Sequence, residues 1–509
     1  MTATVKTTYG VLRRLKEHGV HAFLGVPFAA PPVGPRRYAA PERPARWDGE
    51  RPATSSGPVC LQQPMPGVFG ALGSPKGQAG DDCLNLNVWT PDPGARGLPV
   101  LLWIHGGAFY GGSGTAPVYN GAAFARDGVV CVTINYRLGA QGFCHLAEHF
   151  PELRDSGNAG LLDQVAALQW VQENIAAFGG DPGNVTIAGE SAGGMSVGTL
   201  LATPRARGLF RRAVAQSGAA HNAFSAANAA RIAGHLLQHL GVARGDLQAL
   251  LAVPPERVLE AQIRLSAELV MSRDRERFGE AVGSPILLQP TFDTEVLPER
   301  PIAAIARGAA AGIDLLVGTT TEEAKIFMVE MKALFSEPVV EALLDRVMRP
   351  AGRSGRDVLT AYKASRPDAQ PHELAAAAET DRLFRIPALR LADAQARHHA
   401  GTWMYDFAWR STARGGEFGA CHFLEVPFVF DQLDNEQARG IAGTPPQELA
   451  DKLHPAWVAF ARSGDPGHAG LPAWPRWDSE RRPTLRFDSQ CEVVCDPAAA
   501  ERKLWDDVL

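Results

Sequence analysis

The chain reads as an α/β protein built around one mainly parallel sheet, and three observations carry that expectation. Short apolar, β-branched runs recur through the first 220 residues, a long helical pattern lies between two of them, and each run ends in glycine or a turn. Taken in order, LPVLLWIHGG, GVVCVTINYRLG, NVTIAGES and RRAVAQSG have the length and composition of buried strands. Between the second and third lies AGLLDQVAALQWVQENIAAFGG, where Leu161, Leu162, Val165, Ala166, Leu168, Val171 and Ile175 recur at helical spacing and Gly179 with Gly180 closes the helix. Strands alternating with helices bury both faces of a sheet, and functional side chains then emerge at the carboxyl ends of the strands.

Two stretches differ in kind. Residues 224–285, including AANAARIAGHLLQHLGV and PPERVLEAQIRLSAELVM, and residues 335–398 read as helical without intervening strands. IDLLVGTTTEEAKIF between them and TWMYDFAWR after the second return to a strand pattern. Helical insertions between core strands are expected to form a cap over a site. With no repeat and no low-complexity linker, residues 1–509 are expected to form one domain.

Composition narrows the function. At 45% hydrophobic and 21% charged, 509 residues can bury a large core, and a formal net charge of -5 without a long basic run gives no support for nucleic-acid or membrane-surface binding. A small, uncharged partner is expected, with the protein a monomer or weak homo-oligomer. The segment MTATVKTTYGVLRRLKEHGV lacks the pattern of a secretory signal, and no apolar run reaches the roughly 18 residues that span a bilayer, so a cytoplasmic protein is expected. Seven scattered cysteines suit a reducing compartment. His145-Leu146-Ala147-Glu148-His149 matches a zinc-protease pattern by letter, but lacks an evident third ligand, and His235 with His239 has no glutamate between, so neither a metal nor an organic cofactor is expected.

The chemistry concentrates around Gly189-Glu190-Ser191-Ala192-Gly193, a G-x-S-x-G pattern after an apolar run. In a strand-to-helix turn, glycines two residues either side of the serine let the backbone bend and lift the hydroxyl into a cleft. The pattern alone also fits any glycine-rich turn. A serine hydroxyl needs a base, an acid to orient that base and donors for an oxyanion, so its partners decide the reading. His105-Gly106-Gly107-Ala108-Phe109 follows LPVLLWI as a glycine-rich loop of the kind that supplies such donors.

Over nearly its whole length the sequence resembles the type-B carboxylesterases, α/β-hydrolases with a mostly parallel central sheet flanked by helices. The stretches that carry the resemblance include FLGVPFAAPPVGPRRY, DDCLNLNVWTP, WIHGGAFYGGSG, GNAGLLDQVAALQWVQENIAAFGGDPGNVTIAGESAGG, VGTTTEEAKIF and CHFLEVPFVF. It implies Ser191 as nucleophile, Glu323 as triad acid, His422 as base, and the amides of Gly107, Ala108 and Ala192 as oxyanion donors. Ala324 stands where the family usually has glycine, which keeps Glu322 as a second candidate acid. It further implies that Ser217 supports the triad acid, that Arg37 pairs with Asp81 and Arg137 with Asp163, and that Phe224 is a candidate wall of the acyl pocket. In the cholinesterase branch a tryptophan lies between the cysteines matching Cys60 and Cys83. Here Phe69 is the only aromatic in that loop, so choline esters are not expected.

The implied activity is serine carboxylesterase action on apolar short- to medium-chain or aryl esters through an acyl-enzyme. Three alternatives remain at this point: a carbamate or amide hydrolase with the same triad, a lipase acting on long-chain lipid droplets, and a non-catalytic interaction protein on the same scaffold.

Overall fold

The framework of the computed structural model, which describes residues 4–17, 19–63, 77–272 and 274–508, is a set of fifteen strands among those residues. They are β1 (Thr4–Lys6), β2 (Val11–Glu17), β3 (Val20–Pro27), β4 (Glu50–Ala53), β5 (Asn85–Thr90), β6 (Leu98–Ile104), β7 (Val130–Ile134), β8 (Gly180–Glu190), β9 (Arg212–Gln216), β10 (Phe224–Ser225), β11 (Thr291–Phe292), β12 (Asp314–Thr320), β13 (Thr402–Phe407), β14 (Pro483–Phe487) and β15 (Glu492–Cys495). Thirteen join one sheet in the order β1-β2-β3-β5-β7-β6-β8-β9-β12-β13-β14-β15, with β4 beside β2.

The pairings from β7 through β6, β8, β9, β12 and β13 to β14 are all parallel. Both margins are antiparallel except for β4, which pairs with β2 in parallel. The parallel centre is apolar along most of its length, and β7, β9 and β13 are buried at every position. That burial on both faces is what a sheet covered by helices requires. The α/β-hydrolase fold expected from the sequence is therefore present.

The helix Ala159–Asn174 covers one face and, through a short 3-10 turn, ends at Gly179, whose φ of 88° is the left-handed conformation that glycine adopts without strain. Helices fill both long insertions, at Ala226–Leu240 and Pro255–Ser272 in the first, and at Glu337–Met348, Gly355–Ser365, Pro371–Thr380 and Ile386–Ala396 in the second. The short parallel pair β10 with β11 brackets the first insertion.

One charged pair inside this framework matches the sequence expectation and one does not. Arg137 and Asp163 are fully buried, and Asp163 accepts hydrogen bonds from Arg137 Nε at 2.8 Å, Nη2 at 2.7 Å and its backbone N–H at 2.9 Å. Arg37 does not pair with Asp81. Its Nη1 donates to the carbonyls of Leu251 at 3.0 Å and Val253 at 2.6 Å, while Asp81 is exposed to water, where a carboxylate loses little by remaining unpaired. Cys60 and Cys83 are buried free thiols whose sulfurs lie 3.0 Å apart.

Removing one member of a buried ion pair leaves the other charge uncompensated. Asp163→Asn is expected to lower unfolding stability by about 3–5 kcal/mol, read from denaturant or thermal melts. A change within about 0.5 kcal/mol, the range of an ordinary surface substitution, contradicts this account of the pair.

Candidate active site

The carboxyl ends of neighbouring strands bring the chemistry together. His105 follows β6, Ser191 follows β8, Glu323 lies three residues past β12, and His422 lies in the segment after β13. Because β12 and β13 run side by side in register, Leu315 opposite Thr402 and Thr320 opposite Phe407, the segments that leave them emerge together.

Ser191 occupies a strained elbow, with φ 57° and ψ -125° between β8 and the helix Ala192–Leu200. A non-glycine residue at such a φ costs about 1–3 kcal/mol and persists only where its surroundings enforce it. Here they do. A Cβ on Gly193 would lie 2.0 Å from the Ile104 carbonyl oxygen, and one on Gly189 would lie 2.6 Å from the Gly193 carbonyl carbon. The glycines let the helix start pack directly against β6, which pushes the serine outward. Ala192 opens the helix, so its N–H is among the first four that lack an intrahelical acceptor.

The loop after β6 approaches the same point. A Cβ on Gly106 would come within 2.9 Å of Ser191 Cβ, and one on Gly107, at φ 111°, within 2.2 Å of the Gly111 carbonyl oxygen. Ala108 and Phe109 also have positive φ, at 53° and 61°. The His105 ring, stacked on Tyr136 with centroids 4.5 Å apart, fixes the start of this loop. Burial lowers the His105 pKa to about 4, so the ring is neutral.

Glu323 and His422 form the tightest contact of the site. Glu323 Oε2 lies 2.5 Å from His422 Nδ1, Oε1 accepts the Thr320 N–H at 2.8 Å, and the Glu323 side chain is fully buried. Glu322 points elsewhere, to Lys325 Nζ at 3.0 Å, Arg410 at 3.3 Å and the Ala420 N–H at 2.9 Å. Ala324, in place of the family's usual glycine, has φ -78°, a conformation any residue adopts, and its N–H donates to Thr380 Oγ1 at 3.0 Å. Nothing at that position calls for glycine.

Glu190 is the residue that the sequence reading overlooked. Its Oε1 lies 3.0 Å from His422 Nε2, although without hydrogen-bond geometry, and Ser191 Oγ makes no hydrogen bond to that nitrogen in this arrangement. A third buried carboxylate, Glu425, accepts from Gln216 Nε2 at 3.2 Å and Tyr405 OH at 3.4 Å. Burial opposes a charge on the imidazole, but Glu190 and then Glu323 outweigh it and raise the His422 pKa to about 9. Burial also raises Glu190 to about 8 and Glu425 to about 7. The charges on Glu190 and His422 therefore depend on each other: burial opposes each alone, and their mutual attraction favours the pair. The only sequence signal was an ionisable letter beside the nucleophile, inside a run that otherwise needs small or apolar residues.

Ser191 and His422 open onto one cavity of about 480 Å³, walled largely by apolar side chains that include Met195, Ile286, Phe327, Met328, Leu383 and Phe384. Gly107 and Ala108 line it as well. Phe224 does not. It is drawn into β10 against β11 and buried in the core, and Asn222 lines the cavity in its place. Ser217 is fully buried at φ 47° with Oγ lacking a hydrogen-bond partner, so it does not hold Glu323 here. Phe69 lies outside the described residues.

No group of three or more potential metal-ligating side chains occurs among the described residues. His149 Nε2 contacts the Ala230 carbonyl at 3.2 Å, and His239 Nε2 contacts Glu268 at 3.2 Å. No helix among the described residues is long and apolar enough to cross a membrane.

A hydroxyl on a strained elbow, an imidazole held by a carboxylate and an amide-rich loop around an apolar cavity are the parts of acyl transfer by a nucleophilic serine. Comparison with known proteins finds relatives along nearly the whole chain. The model of the carboxylesterase family matches residues 1–505. The chain is 40% identical over 504 residues to the para-nitrobenzyl esterase of Bacillus subtilis (strain 168), covering 98% of this chain and 97% of that one. It is 37% identical over 508 residues to the phenmedipham hydrolase of Pseudarthrobacter oxydans, covering 97% and 95%. Among solved structures, a Geobacillus stearothermophilus carboxylesterase aligns with TM-score 0.85 at 40% identity over 99% of this chain and all of that one. A thermophilic para-nitrobenzyl esterase aligns with TM-score 0.86 at 38% identity over the same shares.

Replacing the Glu190 carboxylate by an amide removes an anion that stabilises the imidazolium. In Glu190→Gln, the His422 ring followed by NMR is expected to titrate about one unit lower than in the parent protein. An unmoved titration contradicts the coupling between the two side chains.

Proposed function

The chain belongs to the carboxylesterase family and hydrolyses carboxylic esters, and from that premise we propose that Ser191, His422 and Glu323 carry the reaction. The observation that supports this most is the buried 2.5 Å contact between Glu323 Oε2 and His422 Nδ1, beside a serine held at positive φ in the same cavity.

In the proposed cycle, His422 Nε2 turns from Glu190 to the Ser191 hydroxyl and takes its proton as the oxygen attacks the ester carbonyl. Glu323, fixed by the Thr320 N–H, keeps the proton on Nδ1 and stabilises the imidazolium. The negative charge on the carbonyl oxygen is met by the amides of Gly107, Ala108 and Ala192. The loop's positive φ values and the helix start favour that direction of N–H groups. His422 then gives its proton to the departing alcohol. Water entering the vacated position loses a proton to the same nitrogen and hydrolyses the acyl-enzyme, so serine and imidazole return to their starting states.

The insertions over 224–285 and 335–398 act as the cap in this reading, since Leu383 and Phe384 from the second, and Pro285 at the end of the first with Ile286 directly after it, wall the cavity. An apolar chamber of about 480 Å³ suits short- to medium-chain or aryl esters. Small, uncharged ester molecules are the substrates that such walls accept without leaving a charge unpaired.

Ser191→Ala is expected to remove at least about a thousandfold of kcat on p-nitrophenyl butyrate while leaving the melting temperature within a few degrees of the parent. Retained turnover contradicts Ser191 as the nucleophile. On a matched aryl ester, carbamate and anilide, the ester is expected to react fastest. A faster carbamate or anilide contradicts the ester assignment for this cavity.

A further inference from the structure

The segment Asp381–Arg385 is a π-helical turn between the helices Pro371–Thr380 and Ile386–Ala396. Such turns account for well under 1% of residues, because the widened turn loses backbone packing, and they recur where a side chain must be re-aimed. This one directs Leu383 and Phe384 into the cavity, and the Phe384 ring sits 4.8 Å, centroid to centroid, from the His422 imidazole.

The opposite side of the turn is held by buried charge. Asp381 is fully buried, pairs with Arg385 and accepts the Tyr362 hydroxyl. Arg385 Nη2 also reaches Glu501 Oε2 at 3.1 Å, on the C-terminal helix Ala499–Arg502. Glu501 is buried as well, accepts Ser365 Oγ and Arg366 Nη1, and lies 3.2 Å from Arg366 Nη2. Trp505 Nε1 donates to Tyr362 OH at 2.9 Å, which closes the network on the chain's C-terminal segment. Two carboxylates and two guanidiniums balance, so the cluster is neutral as a set and each member depends on the others.

We propose that Glu501, acting through Arg385 and Asp381, is a positioning residue for the catalytic base: it clamps the π-turn so that Phe384 stays seated on the His422 ring. Nothing in the cluster touches His422 directly. A network whose only role was to anchor the C-terminus would need no widened turn, and the turn's product is the aromatic cover on the imidazole. This inference rests on His422 being the base.

Loss of the clamp has a readable consequence. Phe384 helps to exclude water from His422, where the attraction of Glu190 and Glu323 outweighs the cost of burial, so unseating it admits water that screens those carboxylates and lowers the imidazole pKa toward its ordinary value. The charged and titratable groups facing His422 from other elements, Glu190, Glu323 and Glu425, with the Tyr119 hydroxyl near Glu190, make no contact with residue 501, whereas Glu379 at the cavity wall pairs with Arg382 inside the clamped turn and shares its fate.

The test compares Glu501→Gln, Phe384→Ala and their double variant in the full chain, on p-nitrophenyl butyrate across pH. In Glu501→Gln, kcat is expected to fall about tenfold with KM changed less than twofold, and the acid limb of kcat/KM to fall by about half a unit. In Phe384→Ala the same limb is expected to fall, and the double variant is expected to show no further fall beyond Phe384→Ala. Should Glu501→Gln not fold, Arg366→Gln, at the half-exposed rim of the cluster, is expected to give the same limb shift at smaller size. A lowered melting temperature with an unmoved limb and kcat, in whichever of the two variants folds, overturns the inference, as do additive shifts in the double variant. His422→Gln separates the two claims. If it keeps parental turnover, the base assignment itself fails. If it is inactive while the clamp variants leave the limb unmoved, only the positioning role fails.

Discussion

Everything in this site depends on one buried contact, the 2.5 Å approach of Glu323 to His422. A carboxylate with no exposed surface is stable as an anion only if it is fully partnered, and Glu323 has the Thr320 amide on one oxygen and the imidazole on the other. Those two partners determine where the ring lies. The parallel pairing of β12 with β13 brings the two segments into reach, and the rest of the sheet positions the serine elbow opposite them. The fold thus serves a small geometric requirement: three side chains from distant parts of the chain must converge at the carboxyl edge of one sheet.

The same burial creates a competition. Three carboxylates surround one imidazole, and water is too scarce there to screen them. Glu323 is bound to Nδ1, whereas Glu190 faces Nε2, the nitrogen that the proposed reaction needs. What limits the hold of Glu190 on that nitrogen is the cost of charging it in the interior, which raises its pKa. The charge on Glu190 is therefore coupled to the charge on the ring that the proposed reaction turns toward Ser191.

Much of this was legible in the sequence. β6, β7, β8 and β9 are each apolar, β-branched and closed by glycine, and the helix Ala159–Asn174 has clear periodicity with a glycine stop. Ser191, Glu323 and His422 sit in motifs long enough that their convergence could be expected before any coordinates. Other features were hidden for physical reasons. β1, β2 and β4 are short or half-exposed, and the buried β3 and β5 interleave polar with apolar letters, so none has the continuous apolar signature of central strands. Phe224 looked available for a pocket wall, but backbone pairing with residues 291–292, distant in sequence, turns it into the core. Arg37 had a family partner by analogy, yet its Nη1 donates to two carbonyls in the first helical insertion instead. Glu190 shows the limit most clearly, because its significance lies in a ring 232 positions away along the numbering.

The central claim is that Ser191, His422 and the three amides form one reacting unit around a shared cavity. Its most direct test is a crystal structure of the protein after reaction with an aryl phosphonate that mimics the tetrahedral intermediate. The account predicts phosphorus bonded to Ser191 Oγ, one phosphoryl oxygen within hydrogen-bond reach of the Gly107, Ala108 and Ala192 amides, and His422 Nε2 turned from Glu190 toward the adduct. Phosphorus on another residue, or a phosphoryl oxygen directed away from those amides, would contradict it.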